Sequence, residues 1–372
     1  MDRIFTSVLI ISLQATFVAA IVLLIKRIFT SKINVRISYL LWVFVLLRLL
    51  FPVLPSSPLS IFNSWNLDID NKISSIIIPV SDVKNSLHDL HDSAGSSSLH
   101  SVQDNHKESI KSTLDTVTDV DDSHEYSDAI IKSKTGKLLQ KNFMQNILAF
   151  LPYIWAAAAL IIIAYLLLVN LLFSIKIRSM HIVNPEKMLL EKLQWANYSK
   201  HPIKFAESME VSSPFVFGIL NPVIVLPKGL LQNNDNNTLS HILAHEFAHI
   251  KRGDLIITWL IYILCAIHWF NPMLWYCSKL IRQDQELCAD AYAMSHFSED
   301  GILEYGETLL SIVKNTRPHQ FALMTAGISE NKKTLKQRFK NIASFSKAKY
   351  RLTFISIMLI IGVGIILCTS SM

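Results

Sequence analysis

Four stretches of this chain are apolar for about the length that crosses a bilayer, and most of the remaining sequence lies in two blocks between them. Ile4 to Ile25, Ile37 to Leu54, Leu148 to Phe173 and Leu352 to Leu367 are each long enough, or nearly so, for the roughly 20 residues that span hydrocarbon. With 51% hydrophobic and only 17% charged residues, the chain is too apolar for an ordinary soluble domain. The first stretch is expected to be an uncleaved anchor rather than a cleaved leader. Its start is poor in positive charge, its apolar run is long, and no small-residue cleavage pattern follows.

The basic residues orient these spans. Lys26, Arg27, Lys32 and Arg36 lie between the first two, Lys176 and Arg178 follow the third, and a run from Lys332 to Arg351 without acids precedes the fourth. The positive-inside rule then places both termini and the loop at 56–146 outside, and residues 174–351 in the cytoplasm. The net charge of +6 therefore follows a membrane pattern, and no nucleic-acid partner is expected. The expected organisation is 1–54, two spans joined by a short basic loop; 55–146, an outer polar loop, loosely ordered over 81–133; 147–173, a third span; 174–351, a cytoplasmic domain; 352–368, a fourth span; and 369–372, a short outer tail. Arg48, inside the second span, is expected to snorkel or to pair with a neighbouring helix. The apolar run from Leu255 to Phe270 is short for a span and is expected to be buried or membrane-embedded without crossing. None of the four cysteines lies in the outer loop, which argues against a disulfide framework.

Within the cytoplasmic block, residues 245–249 read His-Glu-Phe-Ala-His. On a helix, residues four apart share a face, so His245 and His249 can present imidazoles to one ion while Glu246 faces a water beside it. The metal this implies is zinc, with Glu246 as general base. Thr238 is the expected start of this helix and Gly253 its end. Pro272 opens a further helix, on which Glu286 and Asp290 are again four apart. Glu286 is the expected third ligand, against Asp254, His268 and His241 as rivals. Asp290 is expected to hold a ligand histidine by its other nitrogen. Asp254 is expected to sit at the start of the next helix, and His241 to pack or face substrate.

Upstream, 184–200 is expected to be helical and 203–226 β-rich. The runs 213–220 and 223–227, joined by Asn221-Pro222, suggest a hairpin, and Pro214, Pro222 and Pro227 suggest an edge. Phe215, Val216, Phe217 and Gly218 are thus candidates for binding an extended peptide by strand addition.

The ordered set Ser213–Pro227, His245–Asp254, Phe270–Trp275 and Arg282–Asp290 resembles the BlaR/MecR-type (M56) membrane zinc metallopeptidases, the antirepressors related to β-lactam sensor-transducers. That resemblance implies an α-helical membrane protein of about four transmembrane helices with a cytoplasmic α+β, gluzincin-like zinc metallopeptidase domain. It assigns His245, His249 and Glu286 as zinc ligands, Glu246 as catalytic acid/base and Asp290 as their supporting carboxylate. It implies cleavage of a protein substrate, a transcriptional repressor or the chain itself, in a bacterial plasma membrane. The family's penicillin-binding sensor domain is not expected after the last span, so the 56–146 loop or a separate sensor protein is expected to do any sensing, and a homodimer is a further expected partner. Competing readings are a receptor or scaffold with a zinc fold and no activity, and a housekeeping quality-control protease.

Overall fold

The structure is a computed structural model, and it describes residues 1–28, 34–51, 123–184, 203–233, 235–315, 332–346, 362 and 364. The chain divides into two compact units, Met1–Thr6 with Leu67–Trp155, and Ser7–Asn66 with Ala156–Met372. In the first, Phe5 and Trp155 meet in a tilted ring pair at 5.9 Å. The second contains the sheet and the candidate site.

Helix α1 runs Asp2–Ile28, α2 Val35–Leu40, α3 Trp42–Leu50 and α4 Ser123–Arg178. Two helical segments, Arg3–Ile28 and Ala149–Arg178, are long and apolar enough to cross a membrane. Over the expected second span, α2 passes into α3 at Leu41, which itself keeps a helical backbone, φ −60° and ψ −27°. Arg48 on α3 donates to Gln14 Oε1 on α1 at 2.5 Å, so it pairs with a neighbouring helix. Helix α4 begins at Ser123, inside the stretch read as outer polar loop. Good helix formers such as Ala129, Leu138, Leu139 and Gln140 outweigh its polar composition. The expected fourth span, apart from Gly362 and Gly364, and the expected helix at 185–200 lie outside the described residues.

Four short strands follow: β1 His181–Val183, β2 Lys204–Ser208, β3 Phe215–Phe217 and β4 Val223–Pro227. They form one sheet in the order β1-β2-β4-β3. Strand β1 is antiparallel to β2, β2 is parallel to β4, and β3 pairs antiparallel with β4 in the expected hairpin, Phe215 opposite Val225 and Phe217 opposite Val223. Strand β3 is at the edge, as expected. Pro227 is not: it closes the interior strand β4, opposite Ser208.

Alternation along the strands builds two cores. Val216, Ile224 and Leu226 face one way with Phe205, onto helices α6 (Asn236–Arg252), α9 (Glu299–Asn315) and α10 (Lys332–Ala343). Phe215 and Val225 face the other way, onto Phe173 and Ile177 of α4. A short helix α5, Leu230–Asn233, precedes α6.

Helices α7 (Asp254–Ile267) and α8 (Pro272–Met294) form an antiparallel pair. Its apolar face joins a third core with α1 and α3: Ile261, Leu264, Leu274 and Ile281 meet Ala15, Val18, Val22 and Trp42.

Candidate metal centre

Helix α6 is delimited by chemistry visible in its sequence. Asp235, not Thr238, is its N-cap, accepting a bond from the Thr238 amide at 3.2 Å. The acidic side chain one turn earlier outcompetes the hydroxyl, and Thr238 falls inside the first turn. Gly253 ends the helix in the left-handed conformation, φ 68°, returning its amide to His249 and Ile250 carbonyls. Between these ends, α6 buries Leu239, Leu243 and Phe247 against the sheet and turns His245 and His249 toward α8. Helix α8 starts at Pro272 with Asn271 as its cap, and its spacing brings Glu286 and Asp290 to the same place.

The result is a compact donor set. His245 Nε2 and His249 Nε2 are 3.2 Å apart. Glu286 Oε2 lies 3.4 Å from the first, and Glu286 Oε1 3.7 Å from the second. One donor atom from each of the three residues falls within 4.8 Å of the others, the only such group of three among the described residues. Two neutral imidazoles and a carboxylate suit a borderline metal such as zinc.

Each imidazole is held from behind by a carboxylate. His245 Nδ1 lies 3.0 Å from Asp290 Oδ1 and 3.0 Å from the Tyr305 hydroxyl. His249 Nδ1 lies 2.8 Å from Asp254 Oδ2. Both rings therefore present Nε2 to the centre, the tautomer control that metal-ligating histidines require. Asp290 is in turn fixed by Arg338, whose Nε and Nη2 donate to its two oxygens at 2.7 Å, and by the Tyr305 hydroxyl at 2.6 Å. Arg338 Nη1 also approaches Glu286 Oε2 at 3.5 Å. Arg252 stands 3.1 Å from Asp254 Oδ1.

The electrostatics follow this packing. Burial opposes charge on His245, but hydrogen bonds to Asp290 and Glu286 outweigh it and lift its pKa to about 10. Burial also opposes charge on Glu286, and His245, His249 and Arg338 overcome it, bringing the carboxyl down to about 2. Asp290 lies well below the usual carboxylate range because Arg338 and His245 outweigh its burial. Glu246, buried beside the cluster, is pushed upward by desolvation.

The other candidates fall as follows. Asp254 does open α7 as expected, but it also backs His249. His241 is buried, 3.0 Å from the Thr308 hydroxyl and edge-on to Phe297. His268 is buried in the α7–α8 turn near Phe270 and does not join the cluster. Phe215 and Val216 are buried in the two cores and Phe217 is half-buried, so what β3 offers is its backbone edge, next to α6. Gly218 follows with φ 93°.

Sequence reasoning missed Tyr305 and Arg338, and the contact of Asp254 with His249. Arg338 had a signal: it is the sole guanidinium on a helix otherwise charged by lysines, and a forked donor suits a carboxylate.

Comparison with known proteins bears on this arrangement. The family described as BlaR1 peptidase M56 matches residues 6–342. The regulatory protein BlaR1 of Bacillus licheniformis is 25% identical over 340 residues, which cover 88% of this chain and 49% of that protein. The methicillin resistance mecR1 protein of Staphylococcus aureus is 28% identical over 207 residues, 54% of this chain and 34% of that protein. The chain thus spans about half or less of the length of these relatives. With the match running from the first helix to the last turn of α10, the chain belongs to the BlaR1-type M56 peptidase family.

Proposed function

We propose that this protein is a membrane-embedded zinc endopeptidase of the signal-transducing, antirepressor type, which cleaves a cytoplasmic regulator or itself in response to an envelope signal. The observation that carries the reading is the convergence of His245, His249 and Glu286 with a carboxylate behind each imidazole. The names of its relatives, a regulatory protein and a resistance protein, support a regulatory target such as a transcriptional repressor.

His245, His249 and Glu286 would hold the zinc. When bound, zinc acts as a Lewis acid on the scissile carbonyl and brings the pKa of water towards about 7. Glu246 takes the proton of the attacking water, the C–N bond breaks, and Glu246 returns the proton to the leaving amine. Its desolvated carboxyl has the raised basicity that a general base needs. The backbone edge of β3 at 215–217, running on to Gly218, is suited to take an extended substrate as an added strand beside the motif helix.

Helices α1 and α4 cross the plasma membrane in this reading, 37–54 and 352–368 are the second and fourth spans, and 55–146 lies outside. The basic residues put the N-terminus outside and 174–351 in the cytoplasm.

The test compares cells carrying the wild-type chain with cells carrying Glu246→Gln, in the presence of the inducing condition. Purified Glu246→Gln should retain one zinc per chain while at least one cytoplasmic protein, or the chain itself, stops being cleaved. Identical fragment patterns in the two strains would remove the enzyme reading and leave a zinc-bearing receptor.

A further inference from the structure

The α7–α8 pair has a role that the metal site does not absorb. The geometry points to a re-entrant hairpin: α7 and α8 enter the lipid bilayer alongside α1, turn at His268–Asn271 inside it, and return to the same face, so that the site sits at the membrane surface. This rests on the reading of α1 as a membrane span.

Depth is set by two polar contacts with α1. Near its basic end, Lys26 pairs with Asp284 of α8, and the Trp42 indole donates to the same carboxylate at 2.6 Å. Near its middle, Asn271 Nδ2 donates to the Ser12 hydroxyl at 2.8 Å and the Thr16 hydroxyl at 2.7 Å. From Asp284 back to Asn271 is about 20 Å along α8, and from Lys26 back to Ser12 about 21 Å along α1. The two helices therefore run side by side, and the turn lies about two thirds of the way into a hydrocarbon layer of roughly 30 Å.

Neither helix leaves on the far side. Helix α7 is about 21 Å long, too short to cross. Its first residue, Asp254, backs His249, while α8 returns to Glu286 at the same centre. Both open ends of the hairpin are therefore at the site.

The turn also satisfies part of its backbone internally, as a medium without water requires: His268 donates to the Leu264 carbonyl and Asn271 to the His268 carbonyl, each at 2.9 Å. Asn271, at the tip of the hairpin, faces α1, where its bonds to small hydroxyl residues act as they do between membrane helices, while the buried His268 ring in the same turn keeps Nδ1 without a partner. The outward face carries Ile256, Ile263, Trp269, Trp275 and Tyr276, all exposed. A patch of that kind on a soluble surface is a liability. Of the cations on this hairpin, Arg282 bonds the Tyr262 hydroxyl across the pair at 2.8 Å. Lys279 is exposed about 7.5 Å deeper than Asp284, within reach of a side chain that extends back to the interface.

The experiment uses the full chain with its native cysteines replaced by alanine, reconstituted in phosphatidylcholine–phosphatidylglycerol vesicles. Single cysteines at Ile263→Cys, Trp275→Cys, Leu13→Cys on α1 and Glu299→Cys on the domain surface carry a bimane fluorophore. Lipids bearing a nitroxide midway along the acyl chain supply the quencher. Quenching at 263 and 275 should match that at 13 and exceed that at 299 severalfold. If 263 and 275 behave like 299 while 13 is quenched, the hairpin is outside the bilayer and the inference fails with the span intact. If 13 also escapes quenching, the span reading itself falls and takes the inference with it. Labelling of Pro272→Cys in intact spheroplasts by a membrane-impermeant maleimide would make α7 a crossing helix and overturn the re-entrant path.

Discussion

Nδ1 of His249 lies 2.8 Å from Oδ2 of Asp254, a residue that belongs to the next helix and is separated from the motif helix only by the left-handed turn at Gly253. The same short segment thus carries a donor and the group that orients it. Asp254→Asn keeps the shape but loses the charge that strengthens the imidazole as a donor. Zinc affinity should fall by about 10–100-fold. Competition against a fluorescent chelator reads this directly, and an unchanged affinity with an unchanged melting curve would show that Asp254 acts only as a helix-start residue.

Arg338 is the keystone of the other side. It is buried, donates through two nitrogens to Asp290, and sits on a different helix from every donor residue. Arg338→Met leaves Asp290 charged in a buried place with only Tyr305 and His245 as partners. Removal of one member of such a pair costs about 3–5 kcal/mol. Arg338→Lys should recover little, because an ammonium cannot reproduce the two-pronged bond. Denaturation of the detergent-solubilised protein checks both, and a loss below about 1 kcal/mol in Arg338→Met would contradict this account.

The metal-free protein should show a definite pH signature. His245 is raised from 6.5 to about 10, so its contribution is fully present below pH 6.5 and is lost as pH rises through about 10. Glu286 is lowered from 4.5 to about 2, so its contribution is present above pH 4.5 and is lost as pH falls through about 2. The two overlap fully between pH 4.5 and 6.5, where the metal-free protein should melt highest as far as these two groups decide it. Zinc must displace the His245 proton, so binding near neutral pH should release a proton and tighten about tenfold per pH unit. Calorimetry in buffers of different ionisation enthalpy measures that proton. No proton release at pH 7.5 would mean that His245 is already neutral.

The donor residues were legible because a helix converts spacing into direction. His245, His249, Glu286 and Asp290 lie four apart in pairs, so pattern alone put each pair on one face. The boundaries of α8 were legible for a similar reason, since Asn271 and Pro272 have fixed roles at a helix start. What pattern does not carry is which faces meet. The bond from Arg338 to Asp290 crosses 48 positions, that from Asn271 to Ser12 crosses 259, and both depend on tertiary packing. The division at Leu41 was not visible in the sequence because hydropathy is continuous there and Leu41 itself keeps a helical backbone, φ −60° and ψ −27°. The edge position of β3 was read correctly, but Pro227 was assigned by propensity to an edge when its place at the end of β4 makes an interior strand tolerable.

Two glycines should separate conformational cost from steric cost. Gly253 has φ 68°, and a Cβ there would meet only Ile256 Cδ1 at an ordinary 3.8 Å. Gly253→Ala should therefore cost about 1–2 kcal/mol, the penalty of the left-handed backbone alone. Gly218 has φ 93°, and its Cβ would stand 2.6 Å from the Asn221 carbonyl oxygen, which belongs to the backbone of the β3–β4 turn and cannot swing aside. Gly218→Ala must open that turn, disturbing the register that sets Phe217 opposite Val223. It should destabilise more than Gly253→Ala, and it should also weaken any peptide bound along the β3 edge, which Gly253→Ala leaves untouched. Melting temperatures of the two variants order the first effect, and fluorescence anisotropy of a labelled substrate fragment reads the second. Equal melting temperatures would mean that the turn relaxes freely around an added methyl group.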